Sequence, residues 1–261
     1  MNPLRSVISI LPKKNKRPQT VRRIADDERI YAIGDIHGRF DLMLQLLDKI
    51  EDDDISRPLL PRTLIFLGDL IDRGPDSAKI IEHLITLRKN RPNTRFLMGN
   101  HEEIMLLALE GKREALKLFS RIGGDETMLS YGVSEADIMA SDYDEYGELL
   151  RSCVPAHHRE FIESFEDMVV SGDYAFVHAG ISPSCPLEEQ KPSDLRWIRG
   201  QFLNHRGPFE KVIVHGHTIS EDIDRTPHRI GIDTGAFASG KLTAIGLEGE
   251  ESWFLQAIAE A

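Results

Sequence analysis

The sequence predicts an α/β fold that carries a helical insertion, and three observations point there. From Arg29 onward, short apolar runs alternate with stretches whose apolar residues recur at helical spacing, as strands joined by helices would. Residues 102–170 interrupt that alternation with successive helix-like segments. Polar clusters rich in glycine follow five of the apolar runs directly, where strand ends would display them.

Taken in order, "RIYAI" at 29–33 reads as the first strand. Phe40, Met43, Leu44, Leu47 and Ile50 then fall at helical spacing, which predicts a helix with one buried face. "TLIFL" at 63–67 is the second strand, and Pro75 suits the start of the next helix, whose stripe is Ile80, Ile81, Leu84, Ile85 and Leu87. "RFLM" at 95–98 is the third strand. In the insertion, "EEIMLLALEG", "REALKLFSRIGG", "YGELLRSCV" and "HREFIESFEDMV" read as helices, with "GGDETMLSYG" at 123–132 as a loop between them. Strands resume with "YAFV" at 174–177, "KVIV" at 211–214, "RIGI" at 229–232, "KLTAIGL" at 241–247 and "SWFLQAI" at 252–258.

Composition narrows the function classes. A chain of 261 residues with 41% hydrophobic content supports a sizeable core. Cys153 and Cys185 form neither a CxxC pair nor a spaced framework, which suits a reducing cytoplasm. The apolar stretch in "MNPLRSVISILPKKNK" ends at Pro12 and Lys13, too early to span a bilayer. Residues 1–25 carry seven basic and no acidic side chains although the net charge is −11, so the rest of the chain is strongly acidic. Residues 1–28 are therefore expected to be a basic, disordered tail and 29–261 the folded domain. Weak contact with a membrane surface, or docking of a partner, is the role that tail could serve. An acidic body argues against nucleic acid as a ligand, which demands a broad basic surface.

The clusters are "GDIHG" at 34–38, "GDLIDRG" at 68–74, "GNHE" at 99–102, "HAG" at 178–180 and "HGHT" at 215–218. Two carboxylates and a guanidinium at the end of a buried strand are costly unless partners converge on them. Strands of one sheet can bring their ends to a common rim. Asp35, His37, Asp69, Asn100, His178 and His217 then offer oxygen and imidazole nitrogen without a thiolate, a donor set for Mn²⁺, Fe or Zn²⁺. Six donors are too many for one tetrahedral ion and suit two ions about 3.5–4 Å apart. Glu102 is expected only to complement a helix dipole. His215 reads as a packed histidine at a strand end, since Gly216 has already ended the strand.

These blocks, with "VHAG" and "GIDTGA" between and after them, resemble the metallophosphoesterase superfamily. More narrowly they are similar to its phosphoprotein phosphatase family of bacterial and bacteriophage Ser/Thr phosphatases. The resemblance spans Tyr31 to Leu247 and implies a calcineurin-like sandwich of two mixed β-sheets flanked by helices. It implies Asp35 and His37 on one ion, Asn100, His178 and His217 on the other, and Asp69 shared. His101 would be the general acid, held by Asp72, with Arg73, Arg199 and Asn100 on the phosphate. The implied enzyme is a monomeric, cytoplasmic phosphatase with two divalent ions, Mn²⁺ first, acting on phosphoserine and phosphothreonine in phosphoproteins through in-line attack of a metal-bridging hydroxide.

A related branch, which cleaves diadenosine tetraphosphate symmetrically with the same site, is the alternative. Its members tend to lack an aspartate at the position of Asp72 and to carry "GNHD" and "GHW", whereas this chain has Asp72, Glu102 and Thr218. A non-catalytic binding module would have lost a ligand or His101, and none is lost.

Overall fold

The computed structural model describes residues 22–259. Its frame is two five-stranded mixed sheets. The first has the order β10-β9-β1-β2-β3 and the second β4-β5-β6-β8-β7. The strands are β1 Arg29–Ile33, β2 Arg62–Phe66, β3 Thr94–Phe96, β4 Met168–Ser171, β5 Tyr174–Val177, β6 Val212–His215, β7 Asp224–Arg225, β8 Arg229–Gly231, β9 Lys241–Glu248 and β10 Glu251–Ile258. β1, β2 and β3 run parallel, as do β5, β6 and β8, while β9, β10, β4 and β7 pair antiparallel at the flanks.

Alternation along β1 builds two cores at once. Ile30 and Ala32 join Ile65, Phe176, Val214 and Ile230 in the layer between the sheets. Tyr31 and Ile33 point the other way, into a core capped by helices. Those helices are α1 Phe40–Ile55, α2 Ser77–Asn90 and α3 Asn100–Leu109, then the insertion: α4 Arg113–Phe119, α5 Asp125–Ser130, α6 Glu135–Ala140, α7 Tyr143–Cys153 and α8 Ala156–Glu163. Three short helices follow, α9 Pro192–Trp197, α10 Gly200–Leu203 and α11 Ala236–Ser239; Leu195 and Phe202 cover the outer face of the second sheet against Ala175 and Ile213. No helix among the described residues is long and apolar enough to cross a membrane.

Four expectations change. The α1 face is centred on Leu42, Met43, Leu46 and Ile50, because the apolar residues between 40 and 50 are too numerous to fix its orientation by spacing. Residues 125–130 form α5 rather than a loop; Gly123 at φ 110° turns the chain, and the helix then resumes. The helical segment ends at Glu163, and Met168–Ser171 pairs with β5, with Val169 buried and Val170 exposed as in an edge strand. The last stretch of the expected tail is also folded onto the body. Residues 22–28 lie against the sheets, with Ile24 buried in the central core and its N–H donating to Gly249 O at 3.1 Å, and Ala25 N–H donating to Ser171 Oγ at 3.0 Å. The remainder of the expected tail, residues 1–21, lies outside the described residues.

Candidate metal and phosphate site

The parallel strands β1, β2 and β3 of one sheet and β5 and β6 of the other release every candidate side chain except Arg199 from their C-terminal ends. The two rims meet through the His178 ring. Within the second sheet Gly216 N–H donates to His178 O at 2.8 Å, and across to the first sheet His178 Nδ1–H donates to Leu67 O at 2.8 Å. Buried Asp69 is the centre: its carboxylate lies 3.4 Å from His178 Nε2, 3.5 Å from His37 Nε2 and 3.8 Å from His101 Nε2.

The donor set fits metal ions. His37 Nδ1–H is committed to Ile71 O at 2.8 Å and His178 Nδ1–H to Leu67 O, so each Nε2 is turned toward Asp69, with the second nitrogen anchored as in metal-ligating histidines. His178 Nε2 also lies 3.0 Å from Asn100 Oδ1 and 3.2 Å from His217 Nδ1. A carboxylate, an amide oxygen and ring nitrogens crowded together need a positive charge among them. His217 Nε2 is buried without a hydrogen-bond partner. Asp35 accepts from the His217 N–H at 3.0 Å, which brings it to the same rim.

Electrostatics separate the groups. Burial opposes ionisation of Asp69, yet His178 and His101 outweigh it and hold its pKa well below the usual carboxylate range. Burial, then repulsion from Asp233 and Asp69, raises Asp35 well above that range. Burial keeps His37 neutral with a pKa of about 3, and burial with His178 lowers His217 to about 2, so both imidazoles hold lone pairs at neutral pH. Burial disfavours the His101 imidazolium, but Asp69 and Asp72 overcome it and raise the pKa.

His101 Nδ1–H donates to Asp72 Oδ2 at 2.7 Å, and both side chains are buried. Thr127 Oγ1 on α5 donates to the other oxygen of Asp72 at 2.6 Å. Arg73 donates to His37 Nε2 and to His101 Nε2, each at 3.1 Å, and its guanidinium lies over the Phe237 ring at 4.7 Å. Arg199 is exposed at the rim and reaches Thr218 Oγ1 at 3.5 Å, beside His217.

Backbone strain marks the same place. Among the described residues, six non-glycines have positive φ, and five are His37, Asp69, Asp72, Arg73 and His217. The glycines serve close approach instead: a Cβ on Gly216 would lie 1.9 Å from Asp35 Oδ1, and one on Gly99 2.3 Å from Asp69 Oδ1.

Glu102 does more than face a helix dipole, because its buried carboxylate accepts the N–H groups of Asp69 at 2.9 Å, Leu70 at 2.7 Å and Gly99 at 3.1 Å. His215 is the last residue of β6 and packs edge-on against Phe202, with its Nδ1–H donating to Gly216 O at 3.0 Å. Sequence reading missed Thr127, Phe237 and Asp233. Two carried a signal: Asp233 by its place in "GIDTGA" after β8, and Thr127 by its place in "GGDETMLSYG", a segment that reads equally as a border of the substrate or as a plain loop.

Known proteins resemble this chain in sequence and fold. The family model of the calcineurin-like phosphoesterases matches residues 28–238. Serine/threonine-protein phosphatase 2 of Escherichia coli is 29% identical over 227 residues, covering 82% of this chain and 90% of that protein. The asymmetrical bis(5'-nucleosyl)-tetraphosphatase PrpE of Bacillus mycoides is 26% identical over 235 residues, covering 82% of this chain and 88% of its own. The cold-active protein-tyrosine phosphatase of a Shewanella species superposes with a TM-score of 0.55 over 90% of this chain and 84% of that one, at 18% identity, a likeness of fold. With the family's match running from the strand that opens the first sheet through the last of the site-bearing loops, this chain belongs to the calcineurin-like phosphoesterases.

Proposed function

We propose that this protein is a two-metal phosphomonoesterase of the phosphoprotein phosphatase type, which hydrolyses phosphoserine and phosphothreonine in proteins. The observation that carries this reading is the buried relay from Thr127 through Asp72 to His101. A serine or threonine alkoxide leaves poorly without a proton, and a positioned imidazole supplies one for about 10²–10⁴-fold in rate. A diphosphate leaving group has no such need.

Asp35 and His37 would hold one divalent ion, Asn100, His178 and His217 the other, with Asp69 between them. Two such ions supply Lewis-acid activation of water and offset the charge of the phosphate. The oxygen and imidazole set suits Mn²⁺, Fe or Zn²⁺, and the family resemblance puts Mn²⁺ first. Arg73, Arg199 and Asn100 bind the phosphate oxygens, Arg73 in the bidentate geometry that a guanidinium offers. When Arg73 turns to the phosphate it releases His101 Nε2, which then carries the proton toward the departing oxygen. Asp72 fixes the ring through Nδ1–H and stabilises its charged form. The free thiols of Cys153 and Cys185 suit a cytoplasmic setting.

Hydrolysis of a dinucleoside tetraphosphate is the second reading, supported by the name of the Bacillus relative. The deciding experiment compares kcat/KM of wild type and His101→Asn on a phosphoserine peptide, an aryl phosphate and diadenosine tetraphosphate. The expected result is a wild-type preference for the peptide and a loss of about 10²–10⁴-fold there in the variant, with only a few-fold loss on the aryl ester. Equal losses on both esters would remove the general acid. A wild-type preference for the dinucleotide would install the second reading.

A further inference from the structure

A second histidine and carboxylate cluster lies away from the catalytic rim, where α8 of the insertion crosses α2 of the frame. One oxygen of Glu82, Oε2, is 3.0 Å from His157 Nε2 and 2.8 Å from His158 Nε2. The three ligand atoms lie within 4.8 Å of one another. His158 is buried and its other nitrogen, Nδ1, is 2.8 Å from the Tyr131 hydroxyl. Glu82 and His157 are exposed, so the third side of the cluster opens to water. Among the described residues Glu82 pairs with no lysine or arginine.

We propose that Glu82, His157 and His158 form a zinc site, separate from the catalytic cluster, that clasps the insertion to the frame. Two imidazole nitrogens and one carboxylate oxygen are a three-residue zinc set, with water as the fourth ligand. The His158 ring is already held as a ligand should be. Its Nδ1 faces a hydroxyl that accepts as readily as it donates, so the ring can take the Nδ1–H tautomer, donating to Tyr131, and present an unprotonated Nε2 to a metal, with proton exchange through water. Tetrahedral zinc with bonds of about 2.0–2.1 Å sets its ligand atoms about 3.3 Å apart. Glu82 and His157 are surface side chains and can separate by the few tenths of an ångström that entry of the ion demands. Displacement of two N–H donors by one cation leaves Glu82 with its charge matched.

The clasp has a path to the chemistry. Tyr131 follows α5 directly, and α5 carries the Thr127 hydroxyl that holds Asp72. Zinc on α2 and α8 would restrain α5 against the frame and with it the bracket around the His101 relay. The binding itself does not depend on which ester the enzyme hydrolyses.

The test uses the full chain, first saturated with Mn²⁺ and then dialysed against buffered zinc at low micromolar free concentration. Metal content is measured in wild type, His157→Asn and Glu82→Gln, all of which keep the catalytic cluster intact. Wild type is expected to hold one zinc per chain more than either variant, while all three hydrolyse an aryl phosphate at the same rate before zinc is added. Zinc should also raise the wild-type Tm by roughly 5 °C more than that of the variants. Equal zinc content in the three proteins, or a difference that appears only at millimolar zinc, would overturn the proposal and leave a hydrogen-bonded strut. A Tm gap between wild type and variants that is the same with and without zinc would do so as well.

Discussion

Thr127 itself is unmarked within "GGDETMLSYG" and reaches Asp72 from a different element, yet it holds one of the two oxygens of the carboxylate that orients His101. Its hydroxyl also accepts the Asp72 N–H at 2.9 Å, so Thr127→Val strips a donor and an acceptor from a buried residue. The expected cost is about 1–3 kcal/mol of stability by thermal melt. Phosphoserine turnover should fall roughly tenfold with much less change on an aryl ester, because the proposed proton donor, His101, would be misplaced rather than removed. A uniform loss on both esters would make Thr127 merely structural. Such residues mark the limit of what the sequence reveals. Asp35, His37, Asp69, Asn100, His178 and His217 were legible because each follows an apolar run and sits beside a glycine or within a short polar block. Thr127 and Phe237 enter from α5 and α11, and nothing local distinguishes a threonine that caps a carboxylate from one that faces solvent.

At the scale of elements, α3 is a brace as much as a carrier of candidate ligands. Its first turn supplies Asn100 and His101 and also Glu102, whose carboxylate gathers the backbone of the loop after β2. That loop holds Asp69, Asp72 and Arg73 at positive φ, which costs on the order of 1–3 kcal/mol per residue and persists only where neighbours enforce it. Glu102→Ala should therefore lower stability by about 3 kcal/mol and Tm by roughly 6–12 °C, with loss of bound metal, as read by melting and elemental analysis. Glu102→Gln keeps one acceptor oxygen but sets its NH₂ against the N–H groups that the other oxygen accepts, so it should cost about as much as Glu102→Ala. A Glu102→Gln melt unchanged from wild type would mean that one acceptor oxygen is enough to hold the loop. The elements that escaped sequence reading are the ones with least internal pattern. β7 is two residues long, β4 is four and follows a helix without a glycine or proline break, and α5 is hidden behind Gly123 and Gly124.

For the whole molecule, the two sheets are joined at a rim that concentrates buried acid: Asp35, Asp69, Asp72, Glu102 and Asp233 are all nearly inaccessible to solvent. Chelation at neutral pH should take away the charges that offset them and lower Tm by about 10 °C, with hydrolysis abolished and both restored by Mn²⁺. A Tm indifferent to chelator would mean that the carboxylates are matched by protein groups alone. The order of strands in the first sheet has its own outcome. β1 lies between β2 and β9, and Gly34 N–H donates to Thr243 O at 3.0 Å, although β9 follows β1 by about two hundred residues. A ribosome adding about 5–20 residues per second makes β1 some 10–40 s before its second neighbour exists. Through that interval the strand that leads into Asp35 has an open edge, and the loop around His37 hangs from half a sheet. The ion pocket can close only when translation is nearly done, so metal loading is an event of the finished chain, and the nascent one must be kept from pairing its bare edge with a neighbour's.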